Sequence, residues 1–215
     1  KFAKRLREYT EGLFYFIQND PELPVQFIQN TREWGLAKDE YTDNGNFPRQ
    51  VYVREGRRFE GLYFFTAHDA LPTNIGSRPP IHQQSITASH YALDSHAVRK
   101  REEERIHLDG FLSYPTAVYT VPFGVMVPKS IDNLLLPVPV SGSHIGFSTL
   151  RMEPCWMAIG QAAGITASLS IQDKVKVQNI DISKLQDILI NQNATLIYYK
   201  DVKVGSDDFK MVQYM

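Results

Sequence analysis

Asp94, His96 and His144 carry the side chains of this chain best suited to moving protons. An imidazole titrates near neutral pH, and a carboxylate two residues away can orient it or share its proton. If residues 92–96 form a strand, Asp94 and His96 lie on one face, placed as a carboxylate–histidine relay or as a grip on a polyol. His144 lies in Ser141-Gly142-Ser143-His144, a loop between a strand and a helix, where it can act as acid or base on a substrate hydroxyl. It reads equally as a loop histidine bonded to backbone. His90 extends the pair to His-x3-Asp-x-His, but no second cluster supports a metal centre and none is expected. Arg54, Arg57 and Arg58 flank Glu55 and can clamp a carboxylate such as a uronic acid, or form exposed ion pairs. Tyr91 and the other aromatics, 11 Tyr and 12 Phe in all, offer stacking surfaces for a sugar or simply core.

Arg151–Ser170 (RMEPCWMAIGQAAGITASLS) is a second source of chemistry. Pro154 suits a first helical residue, whose N–H has no partner to lose. Ala158, Gly160, Ala162, Ala163, Gly164, Ala167 and Ser168 then leave little side-chain bulk. Such a helix can press against another element or a flat ligand, and its first turn offers free N–H groups to electron-rich atoms. Packing against a sheet accounts for the same residues. Cys155 reads as packing, since no second cysteine exists to resolve it.

These groups need elements to hold them. Lys1–Gln18 reads as an amphipathic helix, Pro24–Trp34 as a second, and Ile182–Gln192 as a late one, with a further helix beginning at Asp207. Helix initiation is expected at Thr66–Asp69. Strands are expected at Val51–Val53, Leu62–Phe65, Ile86–His96, Thr116–Val127, Asn133–Val140 and Leu196–Val202, with Pro122, Pro137 and Pro139 marking edges or bends. Arg99–Arg105 is a charge run read as a solvated face.

The chain has 215 residues, 43% apolar and 22% charged, and a formal net charge of -1, so neither nucleic acid nor an anionic membrane surface is an expected partner. No apolar run approaches the roughly 20 residues that span a bilayer. P-loop, G-x-S-x-G, H-E-x-x-H and CxxC patterns do not occur. No signal peptide is visible, and the chain begins at Lys1 rather than Met, so a soluble protein is expected, exported if a targeting segment has been removed.

PRQVYVREGRRFEG, YALDSH and the long segment Tyr119–Ser170, in that order, together resemble the C-terminal half of the FAD-dependent oxidoreductase family. The resemblance covers Pro48–Gln172, and the tail Leu196–Tyr214 is similar to an extension of some larger members. It implies FAD as cofactor and a small-molecule substrate oxidised by hydride transfer to the flavin. Some related chains carry a xanthan-lyase-like label, which implies a carbohydrate-derived substrate and a polysaccharide setting. The resemblance further implies that Arg151, Met152, Glu153 and Pro154 face the pyrimidine edge of the flavin, while Gly160 and Gln161 allow close approach of the helix. His144, His96 and Asp94 become its catalytic candidates, and Tyr91, Arg54 and Arg57 its substrate contacts.

Two departures bear on this. The G-x-G-x-x-G phosphate fingerprint occurs nowhere, so an N-terminal FAD-binding domain outside these residues is the expected partner, and the chain alone is expected to hold FAD weakly. Pro137-Val138-Pro139 stands where the family has an AGR-like stretch, which keeps open a noncatalytic carbohydrate-binding or assembly module. The expected fold is α+β. A mixed or antiparallel substrate-binding region covers residues 1–110, the completion of a Rossmann-like FAD domain 111–172, and an extension 173–215.

Overall fold

Residues 1–52, 54–96, 104 and 111–214 are described by the computed structural model. Of the charge run Arg99–Arg105, only Glu104 falls among them, and Val53 of the first expected strand lies outside. The chain divides into two units, Lys1–Val53 and Arg54–Met215.

In the first unit, α1 (Phe2–Asn19) and α2 (Val25–Arg32) form a helical hairpin. Polar side chains tie it together. Gln18 Nε2 donates to the carbonyls of Thr31 (2.8 Å) and Trp34 (2.9 Å), and Arg32 Nε donates to Gln18 O at 2.7 Å. Neither helix buries a residue fully, so Phe2, Tyr9, Leu13 and Phe16 of the amphipathic stripe remain exposed.

The second unit holds α3 (Ala67–Ala70), β1 (Ser85–Ser89), β2 (Leu93–Ser95), β3 (Leu112–Tyr114) and β4 (Tyr119–Pro122). Four further helices follow: α4 (His144–Leu150), α5 (Glu153–Asp173), α6 (Ile182–Asn191) and α7 (Asp207–Gln213). The fold is α+β. Among the described residues the strands form two antiparallel pairs, β1–β4 and β2–β3. One core joins them to the helices, with Phe65, Val125, Leu150, Ile159, Leu185 and Leu196 in a single cluster. Residues from 65 to 93, 119 to 169 and 177 to 197 all contribute to it, and the compact units divide between Val53 and Arg54.

α5 shows why the small-residue sequence is helical. Cys155, Ile159, Ala162, Thr166 and Leu169 recur every three or four residues and are buried, while Gly164, Ala167, Ser168 and Ile171 face outward. Lys174 ends the helix in the left-handed region at φ 54°. α3 begins with a capping box: Thr66 N–H and Oγ1 both donate to Asp69 Oδ2, at 2.7 and 3.0 Å. Burial pushes the Asp69 carboxyl up, yet hydrogen bonds from His82, Tyr63 and Thr66 outweigh it and hold the group at about 2.

Several expected strands are replaced by irregular chain, each for a local reason. Ile86–His96 is two strands, β1 and β2, and Thr116–Val127 narrows to β4 followed by a 3-10 turn at Phe123–Met126. At Leu62–Phe65, successive N–H groups go to different partners: Leu62 to Val127 O, Tyr63 to Gly124 O and Phe65 to Ser141 O. Only isolated bridges result. Across 133–140, Pro137 and Pro139 lack the donors a ladder needs; Leu136 N–H reaches Met126 O, and Asn133 N–H goes to a side chain, Gln178 Oε1. Leu196–Val202 finds its partner in a side chain. Gln213 Oε1 accepts from Leu196 N–H (2.8 Å) and Ile197 N–H (2.9 Å), while Gln213 Nε2 donates to Ile197 O at 2.9 Å. One buried amide thereby does the work of a strand edge.

Candidate functional site

β2 alternates as a half-buried strand should: Leu93 and Ser95 are buried and Asp94 faces the other way. His96 follows on the face of Asp94, and its Nε2 lies 3.4 Å from Asp94 Oδ1. Arg151 caps α4 immediately before α5. Its side chain is 4% exposed, and Nη2 donates to Asp94 Oδ2 at 2.6 Å. Tyr91 completes the corner. Its hydroxyl donates to Asp94 Oδ2 at 3.2 Å, and its ring lies 5.6 Å beneath the Arg151 guanidinium. Arg151 is therefore an inward, buried ion-pair residue and not a surface one.

His144 is the first residue of α4, whose N-cap Ser143 accepts a hydrogen bond from Gly146 N–H at 2.9 Å. Gly146 fixes this turn against the chain at Phe65, because a Cβ there would lie 2.4 Å from Phe65 O. The helix brings the His144 ring to Glu55, with Nε2 3.1 Å from Oε2, and to His96, whose carbonyl is 3.2 Å from the same nitrogen. Glu55 is 6% exposed, and its Oε1 accepts from His96 N–H at 2.8 Å. A polar chain thus runs from Arg151 through Asp94 and His96 to Glu55 and His144.

His144 borders a cleft of about 670 Å³ together with Arg57, Arg58, Phe59, Phe64 and Ser143. Arg58 is held rigidly: Nε donates to Gly142 O and Nη1 to Gly56 O, both at 3.1 Å, and the guanidinium lies 5.1 Å over the Phe147 ring. Arg57 is exposed at this cleft and makes no hydrogen bond or ion pair among the described residues. Arg54 lies apart from it, with Nη1 3.3 Å from both ring nitrogens of His96.

A second cleft, of about 300 Å³, opens at the start of α5 between Met152, Pro154 and Cys155 on one side and Ser89, His90 and Tyr91 on the other. Met152 is the N-cap and makes no side-chain capping bond, and Glu153 is exposed in the first turn. Burial pushes the Cys155 thiol up to about 11, opposed by a hydrogen bond with Ser89, so the helix start does not activate it. Farther along, a Cβ added at Gly160 or Gly164 would meet nothing within 4 Å, so that face of α5 is unpacked among the described residues. Gln161 is engaged with α6, donating to Gln192 Oε1 at 2.8 Å. His90 is exposed, its Nε2 3.1 Å from Thr116 O. Among the described residues no three His, Cys, Asp or Glu side chains are grouped to hold a metal ion.

The structure therefore brings together Asp94, His96, Arg151, Tyr91 and His144, sets Met152 and Pro154 at a second opening that Tyr91 also lines, and leaves Glu153 exposed beside it. Glu55 was missed. In REGRR it reads as one exposed charge among arginines, and no local signal announces that it meets His96 and His144, 41 and 89 positions away. Arg58 and Ser143 were likewise undervalued, although a serine three residues before Gly146 is a recognisable N-cap.

No curated protein and no solved structure shows significant similarity to the chain. The family model described as FAD dependent oxidoreductase matches residues 2–189, which is most of the sequence. The chain belongs to the FAD dependent oxidoreductase family, whose cofactor is FAD.

Proposed function

We propose that this chain forms the substrate side and closing helix of a flavin oxidoreductase that oxidises a hydroxyl group on a small acidic, sugar-like molecule. The observation that carries the reading is His144 at the mouth of a cleft it shares with Arg57 and Arg58. The start of α5 suits one edge of a flavin ring: its first turn has no side-chain cap, and at Met152 and Pro154 it opens onto the second cleft, which Tyr91 also lines. The open face at Gly160 and Gly164 suits close approach by a cofactor-binding unit. The pyrophosphate has no glycine-rich cradle in this sequence, so we assign that half of the cofactor to a dinucleotide-binding domain outside residues 1–215.

FAD, when bound, supplies the acceptor for a hydride, that is, two electrons and one hydrogen from the substrate carbon. The rest falls to this chain. Arg57 and Arg58 hold a substrate carboxylate, Arg58 through the guanidinium nitrogen left after its two carbonyl bonds. Phe59 and Phe64 wall the sugar face. His144 takes the hydroxyl proton as the C–H electron pair leaves, so CH–OH becomes C=O, and the proton later passes to water. Asp94, His96 and Arg151 keep the strand beneath His144 in register. Asp94 and His96 thus act through position, and Tyr91 acts with them.

The test is anaerobic bleaching of the flavin in the loaded full-length protein by matched pairs of sugars and their uronates. The uronate member should react with the higher kcat/KM, and Arg57→Gln should raise its KM about tenfold or more while sparing kcat. Equal rates for acidic and neutral sugars in both proteins would remove the carboxylate from the reading. A noncatalytic carbohydrate-binding module is favoured only by Pro137-Val138-Pro139, and glycan binding without any flavin bleaching is its signature.

A further inference from the structure

We infer that Glu55 is a positioning residue that selects the tautomer of His144, leaving Nδ1 as the nitrogen that receives the substrate proton. This rests on the assignment of His144 as the proton acceptor. His144 Nε2 faces two oxygens, Glu55 Oε2 at 3.1 Å and His96 O at 3.2 Å. A carboxylate and a carbonyl can only accept, so Nε2 must carry the hydrogen between them. In the neutral ring the lone pair then sits on Nδ1, which makes no hydrogen bond among the described residues, on a side chain that borders the cleft. Glu55 cannot simply turn away. Its Oε1 is fixed by His96 N–H at 2.8 Å, and its buried Oε2, without a hydrogen-bond partner among the described residues, lies 3.1 Å from His144 Nε2 as an ion-pair contact.

The same main-chain donor sets the outcome of a conservative substitution. In Glu55→Gln, the amide oxygen must stay on His96 N–H, because that N–H needs an acceptor. The amide NH₂ then points at His144 Nε2 and favours a lone pair there, in competition with the His96 carbonyl, which still favours a hydrogen. The Nδ1–H tautomer becomes populated, and in it Nδ1 has no lone pair to receive a proton. An orienting carboxylate replaced by its amide in this way costs a serine-protease histidine about 10⁴-fold in rate. Here a fall of about 10²–10⁴-fold in the flavin reduction rate is expected.

The experiment reads the tautomer directly, by long-range ¹H–¹⁵N correlation spectra of the histidine rings, with His144 assigned by its loss in His144→Asn. In the wild-type protein above the pH at which the ring is charged, Nε2 should show the protonated, pyrrole-like shift and Nδ1 the lone-pair, pyridine-like one. The reverse pattern in the wild type overturns the inference whether or not any variant folds. In Glu55→Gln the two nitrogen shifts should move toward each other as the Nδ1–H tautomer is populated, and an unchanged pattern with unchanged flavin reduction overturns it equally. Should the wild-type tautomer be as inferred while His144→Asn reduces flavin normally, the proposed reaction fails and the role of Glu55 in setting the ring stands.

Discussion

Exchanging the members of the Arg151–Asp94 pair should cost unequal amounts of stability, because the two charges are not equally buried. Arg151 is 4% exposed in its side chain and Asp94 20%. In Asp94→Asn the guanidinium stays charged, since it cannot release its proton, and is left with a weaker acceptor in a buried site. Its Nε already has no partner among the described residues, so little can compensate. A cost of about 3–5 kcal/mol is expected. In Arg151→Met the stem is replaced by an apolar chain of similar reach. Asp94 keeps Tyr91 Oη at 3.2 Å and His96 Nε2 at 3.4 Å, and it reaches solvent. That variant should lose only about 1–2 kcal/mol. The double variant removes both charges and should cost less than the sum by about 2 kcal/mol. Urea unfolding monitored by fluorescence measures all three, with constant m as the check that the denatured state has not changed. Additive costs within about 0.5 kcal/mol, or Arg151→Met as the more damaging change, would refute the reasoning.

Two further outcomes follow from the other buried ionisable groups. Asp69 titrates at about 2 in the folded chain against 3.8 ordinarily, so its contribution of about 2 kcal/mol is complete above pH 4 and is lost as pH falls through about 2. The stability gap between wild type and Asp69→Asn should therefore close on acidification across that window, and a gap constant from pH 5 to pH 2 counts against it. Cys155, raised from 9.0 to about 11, should react with a thiol reagent at pH 8 about 100-fold more slowly in the native chain than in urea. Comparable rates in the two conditions would show the thiol to be accessible and unperturbed.

The parts of the fold legible in the sequence are those fixed within a few residues. Pro154 and the small residues after it mark α5, the apolar spacing of Leu185, Ile188 and Leu189 marks α6, and Thr66 with Asp69 marks α3. Asp94 and His96 share a face because β2 has period two, which was also readable. What joins them to His144 was not, since Glu55, His96 and His144 meet across 41 and 48 residues through a helix start that loops around Phe65. Apolar β-branched runs also misled where partners were not strands. Leu196–Val202 has the composition of a strand, but side chains meet its start: the Gln213 amide bonds Leu196 N–H and both backbone groups of Ile197, and Ser85 Oγ donates to Leu196 O. The loop 133–140 keeps its apolar pattern because Leu135 and Val140 pack on the core, while its prolines forbid the ladder.

The proton-accepting role of His144 is tested most directly by stopped-flow reduction of the flavin in the loaded full-length protein, comparing wild type with His144→Asn under saturating substrate. Asparagine keeps a donor toward Glu55 and His96 but offers no base, so the reduction rate should fall by about 10²–10⁴-fold with the thermal unfolding midpoint nearly unchanged. A His144→Asn protein that folds, binds flavin and reduces it at the wild-type rate would place the chemistry elsewhere.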